Sequence, residues 1–261
     1  MTTAQIILVL LIPFAGTVVG AASSLMLGER VAAKMQKVLL GFASGVMVAA
    51  SVWSLLIPAI DVAQSSGGVA WLPALVGFLG GMALMLALDS FTPHQHIDSQ
   101  TAEGLPSSLG RSTMLMLAVT LHNIPEGMAV GVVLAGAVSG QVDMSIAAAI
   151  ALSAGIAMQN MPEGAIISLP LRSQGMSAKR SFVYGALSGI VEPIAAAVTI
   201  LAIDILIPLF PYMLAAAAGA MIYVVVEELI PQAHSEKHSN MPTIAFALGF
   251  AAMMVLDIAL G

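Results

Sequence analysis

The sequence predicts an all-α integral membrane protein with eight transmembrane helices. Of its 261 residues, 59% are hydrophobic and only 8% are charged, and the mean hydropathy is +1.00. Soluble domains carry about 25% charged residues, so this composition excludes a soluble fold. Two further observations support the prediction: basic residues occur only in alternate connectors, and two long apolar runs share the motif N-x-P-E-G.

A transmembrane helix needs about 20 apolar residues, and on this basis one transmembrane domain fills residues 1–261. The predicted spans, numbered in chain order, are 5–27, 38–60, 71–91, 113–138, 144–170, 181–203, 206–230 and 242–260. The connectors are short, and Gly, Ser or Pro punctuates several of them, as at 65–68, 139–140 and 208–211. The sequence contains no nucleotide-binding loop, and we expect neither an organic cofactor nor a nucleic-acid partner.

The basic residues all fall on one side of this arrangement. They lie between spans 1 and 2, 3 and 4, 5 and 6, and 7 and 8: Arg30, Lys34, Lys37, Arg111, Arg172, Lys179, Arg180 and Lys237. The other connectors contain none. Because cytoplasmic loops carry the excess of Lys and Arg, we expect the basic connectors in the cytoplasm and both termini outside it.

Internal repeats indicate a symmetric arrangement of the spans. The N-x-P-E-G motif begins at Asn123 in span 4 and again at Asn160 in span 5, 37 residues later. Weaker echoes are L-I-P at 56–58 and 229–231, and L-D at 88–89 and 256–257. Spans 1–3 and 6–8 are therefore predicted to be inverted repeats around the central pair 4–5, as in secondary transporters with a site near the midplane.

The two copies of the motif concentrate polar groups in the middle of apolar helices. His122 and Glu126 are four residues apart on one helix face, and Gln159 and Glu163 repeat that spacing. A proline in each motif predicts that both helices are broken there. Imidazole and carboxylate suit zinc and similar divalent metals. No predicted span contains Lys or Arg to neutralise these acids, although a hydrogen-bonded network joining two helices is an alternative.

Further ionisable residues lie along the same spans or at their ends. Glu192 is deep in span 6, and Asp257 is inside span 8. Residues that could relay metal along a pathway, or be simple interfacial charges, are Asp61, Asp89, Glu227, Glu228 and Asp257. The histidines of the connectors, His94, His96, His234 and His238, are typical of solvated loops and could gather metal only weakly.

At H-N-I-P-E-G and Q-N-M-P-E-G the sequence resembles the ZIP (Zrt/Irt-like) family of divalent metal transporters, most closely its GufA-like bacterial branch. The resemblance covers essentially the whole chain. It implies homodimers, an elevator-like movement of one helix bundle against the other, and a metal centre of two subsites that share Glu126 and Glu163. In addition to these shared glutamates, the resemblance places Met47, His122 and Gln159 in the first subsite. It places Asn123, Asn160 and Glu192 in the second.

Two positions depart from the family pattern. Many members have His at the position of Gln159, and some have Asp at the position of Asn160. Amides at both positions leave fewer strong ligands and less negative charge, so the second subsite should bind metal weakly. Weak binding favours release during passage, but it does not favour strict selectivity for zinc.

The function expected from these features is transport of zinc into the cytoplasm through the bacterial cytoplasmic membrane. Cadmium, iron, manganese and cobalt ions are further expected substrates. One alternative is an intramembrane metal-dependent hydrolase, but the H-E-x-x-H motif is absent and His122 is the only histidine within a predicted span. A proton-coupled carrier of organic solutes would explain the buried acids but not the convergence of His122 and Met47 on them.

Overall fold

The computed structural model describes residues 1–26, 29–92, 105, 111–140, 144–173, 175–202, 209–234 and 239–260. These residues are almost entirely helical and contain no strand, which confirms the all-α prediction. Four spans are single helices: Trp71–Phe91 (span 3), Arg111–Ser139 (span 4), Ile146–Ser173 (span 5) and Met241–Leu260 (span 8). Span 1 is Thr3–Ala21 followed by a short turn of helix, Ser23–Met26.

The other three spans change their helical winding part of the way along. Span 2 comprises Glu29–Ala50, a π-helical turn Ser51–Leu56 and Ile57–Ser65, so it continues beyond its predicted end at residue 60. Span 6 comprises Ala178–Leu187, a 3₁₀ turn Ser188–Ile190 and Val191–Leu201. Span 7 comprises Phe210–Val224, a π-helical turn Val225–Leu229 and Ile230–Ala233.

Seven of these helical spans are long and apolar enough to cross a membrane, judged within the described residues. Span 5 is the exception, although it has 28 residues. It carries Gln159, Asn160 and Glu163 near its middle, and these polar side chains lower its mean hydropathy. Span 5 is thus a helix long enough to cross a membrane, and its lower hydropathy reflects the polar residues that it carries.

Prolines in spans 4 and 5 do not break their helices, so this expectation was wrong. Both helices continue through Pro125 and Pro162. A proline at these positions removes one backbone donor, and a transmembrane helix packed against neighbours tolerates that loss. The changes of winding lie elsewhere: in the 3₁₀ turn of span 6, and in two π-helical turns that end at the leucine of the L-I-P sequences of spans 2 and 7.

The packing of the spans follows the predicted inverted repeat. The repeat relates span 1 to 6, span 2 to 7, span 3 to 8 and span 4 to 5. Span 1 packs along span 5, and span 6 correspondingly packs along span 4. Span 2 packs along span 8, and span 7 correspondingly packs along span 3.

These four helix pairs form two bundles. Bundle A contains spans 1, 4, 5 and 6, and bundle B contains spans 2, 3, 7 and 8; spans 2 and 5, and 4 and 7, meet between them. In every pair a glycine faces the partner's backbone so closely that a Cβ there would clash with main-chain atoms: Gly20, Gly127, Gly45 and Gly81. Small residues of this kind let transmembrane helices approach closely. The glycines therefore allow the two backbones of each pair to pack closely together.

Candidate metal centre

Spans 2, 4, 5 and 6 place the predicted site residues in the interior. The side chains that the resemblance implicated are all buried: Met47, His122, Asn123, Glu126, Gln159, Asn160, Glu163 and Glu192. Glu126 and Gln159 have no exposed surface at all. The i, i+4 spacing within each motif turns the groups toward the neighbouring spans because both helices are continuous.

The first subsite extends across the boundary between the two bundles. Gln159 of span 5 donates a hydrogen bond from Nε2 to Glu126 Oε1 of span 4, at 2.5 Å. His122 Nε2 lies 3.0 Å from Glu228 Oε1, and Glu228 belongs to span 7 of bundle B. Met47, also of bundle B, is fully buried in span 2. The sequence indicated Glu228 only as a possible pathway residue, whereas the structure pairs it with His122.

The second subsite is built around the carboxylate of Glu192, inside bundle A. Glu192 Oε1 accepts hydrogen bonds from Asn123 Nδ2 at 3.0 Å and from the hydroxyl of Thr17 at 3.2 Å. Glu192 Oε2 accepts one from Asn160 Nδ2 at 2.7 Å. The two amide groups also donate to main-chain carbonyls, Asn123 to Ser188 at 3.3 Å and Asn160 to Pro13 at 3.2 Å. Spans 1, 4, 5 and 6 all contribute to this network.

Several buried oxygen atoms of the two subsites accept no hydrogen bond from the described residues. They are Asn123 Oδ1, Asn160 Oδ1, Gln159 Oε1, Glu126 Oε2 and Glu163 Oε2. Buried polar atoms without a partner are costly and require an explanation such as a bound ion. Carboxylate and amide oxygens are also hard ligands for divalent cations.

The metal-binding potential of the centre depends on these amides. Within the part of the chain that the structure describes, no three His, Asp or Glu side chains converge closely enough to form a ready-made cluster. The Asn and Gln side chains point their NH₂ groups at Glu126 and Glu192 and leave their oxygens unpaired. Rotation of an amide would exchange its donor for its oxygen, so the same residues can stabilise the centre without a cation and ligate one.

A cavity opens beyond the centre, at the end of the molecule where span 2 ends and span 5 begins. It has a volume of about 310 Å³ and is lined by Ser54, Asp61, Asp257 and residues around Met144. The hydroxyl of Ser54 donates to Asp257 Oδ1 at 2.6 Å. Asp257 is buried, as expected for a residue inside span 8, whereas Asp61 is exposed. No sequence pattern marks Ser54, because nothing distinguishes it from other serines in apolar helices.

The opposite end of the molecule carries a second carboxylate held by a hydroxyl. Tyr223 of span 7 donates to Asp89 Oδ2 at 3.1 Å, and Asp89 is the repeat counterpart of Asp257. Glu227 is exposed beside the buried Glu228. His234 is also exposed, and its Nδ1 lies 3.0 Å from the carbonyl of Ile230 in its own helix. His94, His96 and His238 lie outside the described residues.

Comparison with known proteins gives a consistent match. The model of the family described as ZIP zinc transporter matches residues 89–257. Zinc transporter ZIPB of Bordetella bronchiseptica is 39% identical over 95% of this chain and 79% of its own length. Human zinc transporter ZIP11 is 37% identical over 85% of this chain and 87% of its own. Zinc transporter GufA of Myxococcus xanthus is 36% identical over 80% of this chain and 81% of its own length.

Proposed function

This chain belongs to the ZIP family, and we propose that it is a secondary transporter that moves zinc through the buried centre formed by spans 4, 5 and 6. The proposed direction is into the cytoplasm. Cadmium, iron, manganese and cobalt ions are proposed as further substrates, since the oxygen-rich centre has few of the features that select zinc alone. No organic cofactor is required for such a carrier.

One observation carries the proposal: three acids are buried in the same region as five buried oxygen atoms that accept no hydrogen bond from the described residues. Glu126, Glu163 and Glu192 are all within the membrane-spanning region. Charged residues at such depth are expensive and usually mark a substrate pathway. A divalent cation would neutralise the negative charge of these carboxylates and would also coordinate the unpaired oxygens.

The remaining acids support a route through the molecule. The cavity beside Asp61 and Asp257 lies toward one end of the molecule, and the contact between His122 and Glu228 leads from the centre toward the other. Asp89, Glu227 and His234 lie near that second end. We assign the second end to the cytoplasm because the basic connectors lie there, so metal enters at the cavity and leaves past Glu228.

The two-bundle packing supports a movement that exposes the centre to each side in turn. Within the pairs, glycines press backbone against backbone. Between the bundles the contact is softer: Gly155 of span 5 faces the flexible side chain of Met253 in span 8. Bundle A, which holds the second subsite, would move against bundle B, and bundle B would form the homodimer in the bacterial cytoplasmic membrane.

An intramembrane hydrolase is not favoured by these observations. A catalytic zinc normally has three strong protein ligands and an open position. Here His122 is paired with Glu228, and the amide of Gln159 occupies the equivalent position in span 5. The relatives are named as transporters.

The test is zinc uptake into proteoliposomes that contain the purified protein and a zinc-sensitive dye. The variant is Glu126→Gln/Glu163→Gln, and the control is Glu103→Gln, which removes a carboxylate from the connector between spans 3 and 4. We expect saturable uptake in the unmodified protein and the control. Loss of an outer-shell partner of a metal lowers metal affinity or activity by about 10–100-fold. The double variant, which removes two expected ligands, should lose at least that much zinc uptake. Equal uptake by all three proteins would refute the proposal.

A further inference from the structure

The hydroxyl of Thr17 behaves differently from most buried hydroxyls in the described spans. Ser44, Ser51, Ser153 and Thr199 each donate to the carbonyl of the residue four positions earlier in their own helix. This local hydrogen bond is the usual one for Ser and Thr in a helix. Thr17 instead donates to Glu192 Oε1 of span 6, and the carbonyl of Pro13, four residues before Thr17, accepts a hydrogen bond from Asn160.

The inverted repeat makes Thr17 the counterpart of Glu192. Gly127 in span 4 approaches the carbonyl of Glu192, and the equivalent Gly164 in span 5 approaches the carbonyl of Thr17. One turn earlier, Asn123 donates to the carbonyl of Ser188 and the equivalent Asn160 donates to that of Pro13. The same offset of 175 residues therefore relates Pro13 to Ser188 and Thr17 to Glu192.

Span 6 is shaped so that the two counterparts meet. Gly189, one turn before Glu192, lies against Thr17, and a Cβ at this glycine would be 2.6 Å from Thr17 Oγ1. A larger residue at 189 would displace either the side chain of Thr17 or span 6 itself. Thr17 itself has no exposed surface. Its hydroxyl consequently faces the acid from within the sealed interior of bundle A.

We propose that Thr17 is the span-1 member of the second metal subsite and that its hydroxyl oxygen lies within coordination distance of the cation held by Glu192. The proposal rests on the proposed transport function and adds a ligand to it. A hydroxyl that donates one hydrogen bond still has lone pairs to offer a cation. Together with Asn123, Asn160 and the shared glutamates, Thr17 gives the second subsite an oxygen ligand from each of the four spans of bundle A.

A neutral hydroxyl at this position has a consequence for transport. If span 1 carried a carboxylate as its counterpart span 6 does, a fourth acid would join Glu126, Glu163 and Glu192. Each additional anionic ligand holds a divalent cation more tightly, and passage requires binding loose enough for release. Thr17 therefore completes the coordination shell without adding charge.

The first test uses the absence of cysteine from the chain. In Thr17→Cys a thiol replaces the hydroxyl, and a thiolate bound to Cd²⁺ or Co²⁺ gives a ligand-to-metal charge-transfer absorption. Thr199→Cys is the matched control, because Thr199 is buried in span 6 but donates only to its own helix. We expect a saturable absorption band in Thr17→Cys on adding Cd²⁺ and none in the control. Absence of the band in Thr17→Cys would overturn the proposal.

The second test uses the natural hydroxyl and needs no thiol chemistry. Thr17→Val keeps the shape of the side chain and removes the oxygen, whereas Thr17→Ser keeps the oxygen. In calorimetric titration with zinc, we expect Thr17→Val to weaken the second binding step by about 10-fold, while Thr17→Ser and Thr199→Val match the unmodified protein. Unchanged binding by Thr17→Val, or equal losses in Thr17→Val and Thr17→Ser, would contradict the proposal. Failure of the unmodified protein to take up zinc would instead contradict the transport function itself.

Discussion

The two subsites of the centre are built on different relationships between the bundles. In the first subsite, His122 of bundle A contacts Glu228 of bundle B. In the second, Glu192 is held by donors from spans 1, 4 and 5, all in bundle A. In the proposed movement of one bundle against the other, the contact between His122 and Glu228 would break, and the contacts around Glu192 would move together. On this proposal, the first subsite would act in gating at the bundle boundary, and the second would hold the metal in transit within one bundle.

Removing the imidazole should affect the first subsite most strongly. His122→Ala deletes the only histidine described within the core and leaves Glu228 without that contact. We expect zinc uptake to fall by about 100-fold, the upper range for loss of a metal-tuning group, with membrane insertion preserved. Uptake into proteoliposomes measures this, with His234→Ala as a control because His234 is exposed. Comparable losses in both variants would remove the special role of His122.

Variants of the two adjacent glutamates in span 7 should distinguish an effect on gating from an effect on metal binding. Glu228 is buried against His122, whereas Glu227 is exposed. Glu228→Gln should lower the maximum uptake rate by about 10-fold, since it weakens a contact that links the bundles, with a smaller change in the half-saturating zinc concentration. Glu227→Gln should stay close to the unmodified protein. An effect confined to Glu227→Gln would reverse this assignment.

Shortening an amide should disturb the second subsite alone. Asn160→Ala removes a hydrogen bond to Glu192 Oε2 and another to the carbonyl of Pro13. We expect a loss of uptake below about 10-fold, milder than that of His122→Ala, because the shared glutamates remain. Calorimetry should locate the loss in the weaker of two zinc-binding steps. A loss in the tighter step would mean that the subsites are not separable.

The smallest effect is expected outside both subsites. Ser54→Ala removes the hydrogen bond to Asp257 at the cavity and leaves the centre untouched. One net hydrogen bond is worth about 0.5–1.5 kcal/mol, so the half-saturating zinc concentration should change by less than about 10-fold while the maximum rate is retained. A fall in the maximum rate equal to that of Glu228→Gln would place Ser54 in the gating step.

The sequence was sufficient to predict the overall architecture. Alternating basic connectors and apolar runs give the eight helices, and N-x-P-E-G identifies the central pair. The L-I-P echoes were weak evidence alone, but a π-helical turn ends at the leucine of each, and the packing of spans 2 and 7 agrees with their equivalence. The expected breaks at Pro125 and Pro162 were wrong, because the lost backbone hydrogen bond is local while the packing that preserves each helix is not.

Several contacts in the centre and at the cavity could not be predicted from the sequence. Thr17 and Glu192 are 175 residues apart, and Ser54 and Asp257 are 203 apart. Serine and threonine are common in apolar helices, so composition gives no signal for either. The contact between His122 and Glu228 depends on how bundles A and B meet, which no local pattern encodes. Such residues are identified only when the packed spans bring their partners together.

The most direct measurement is the position of zinc in the protein, located by anomalous scattering at the zinc absorption edge in crystals grown with zinc. We predict two sites on either side of Glu126 and Glu163, with carboxylate oxygens at about 2.0–2.2 Å from the metal. Glu192 should be a ligand of the site within bundle A only. Zinc found solely at the cavity beside Asp257 or near Asp89, with none bound by Glu126 or Glu163, would contradict the account.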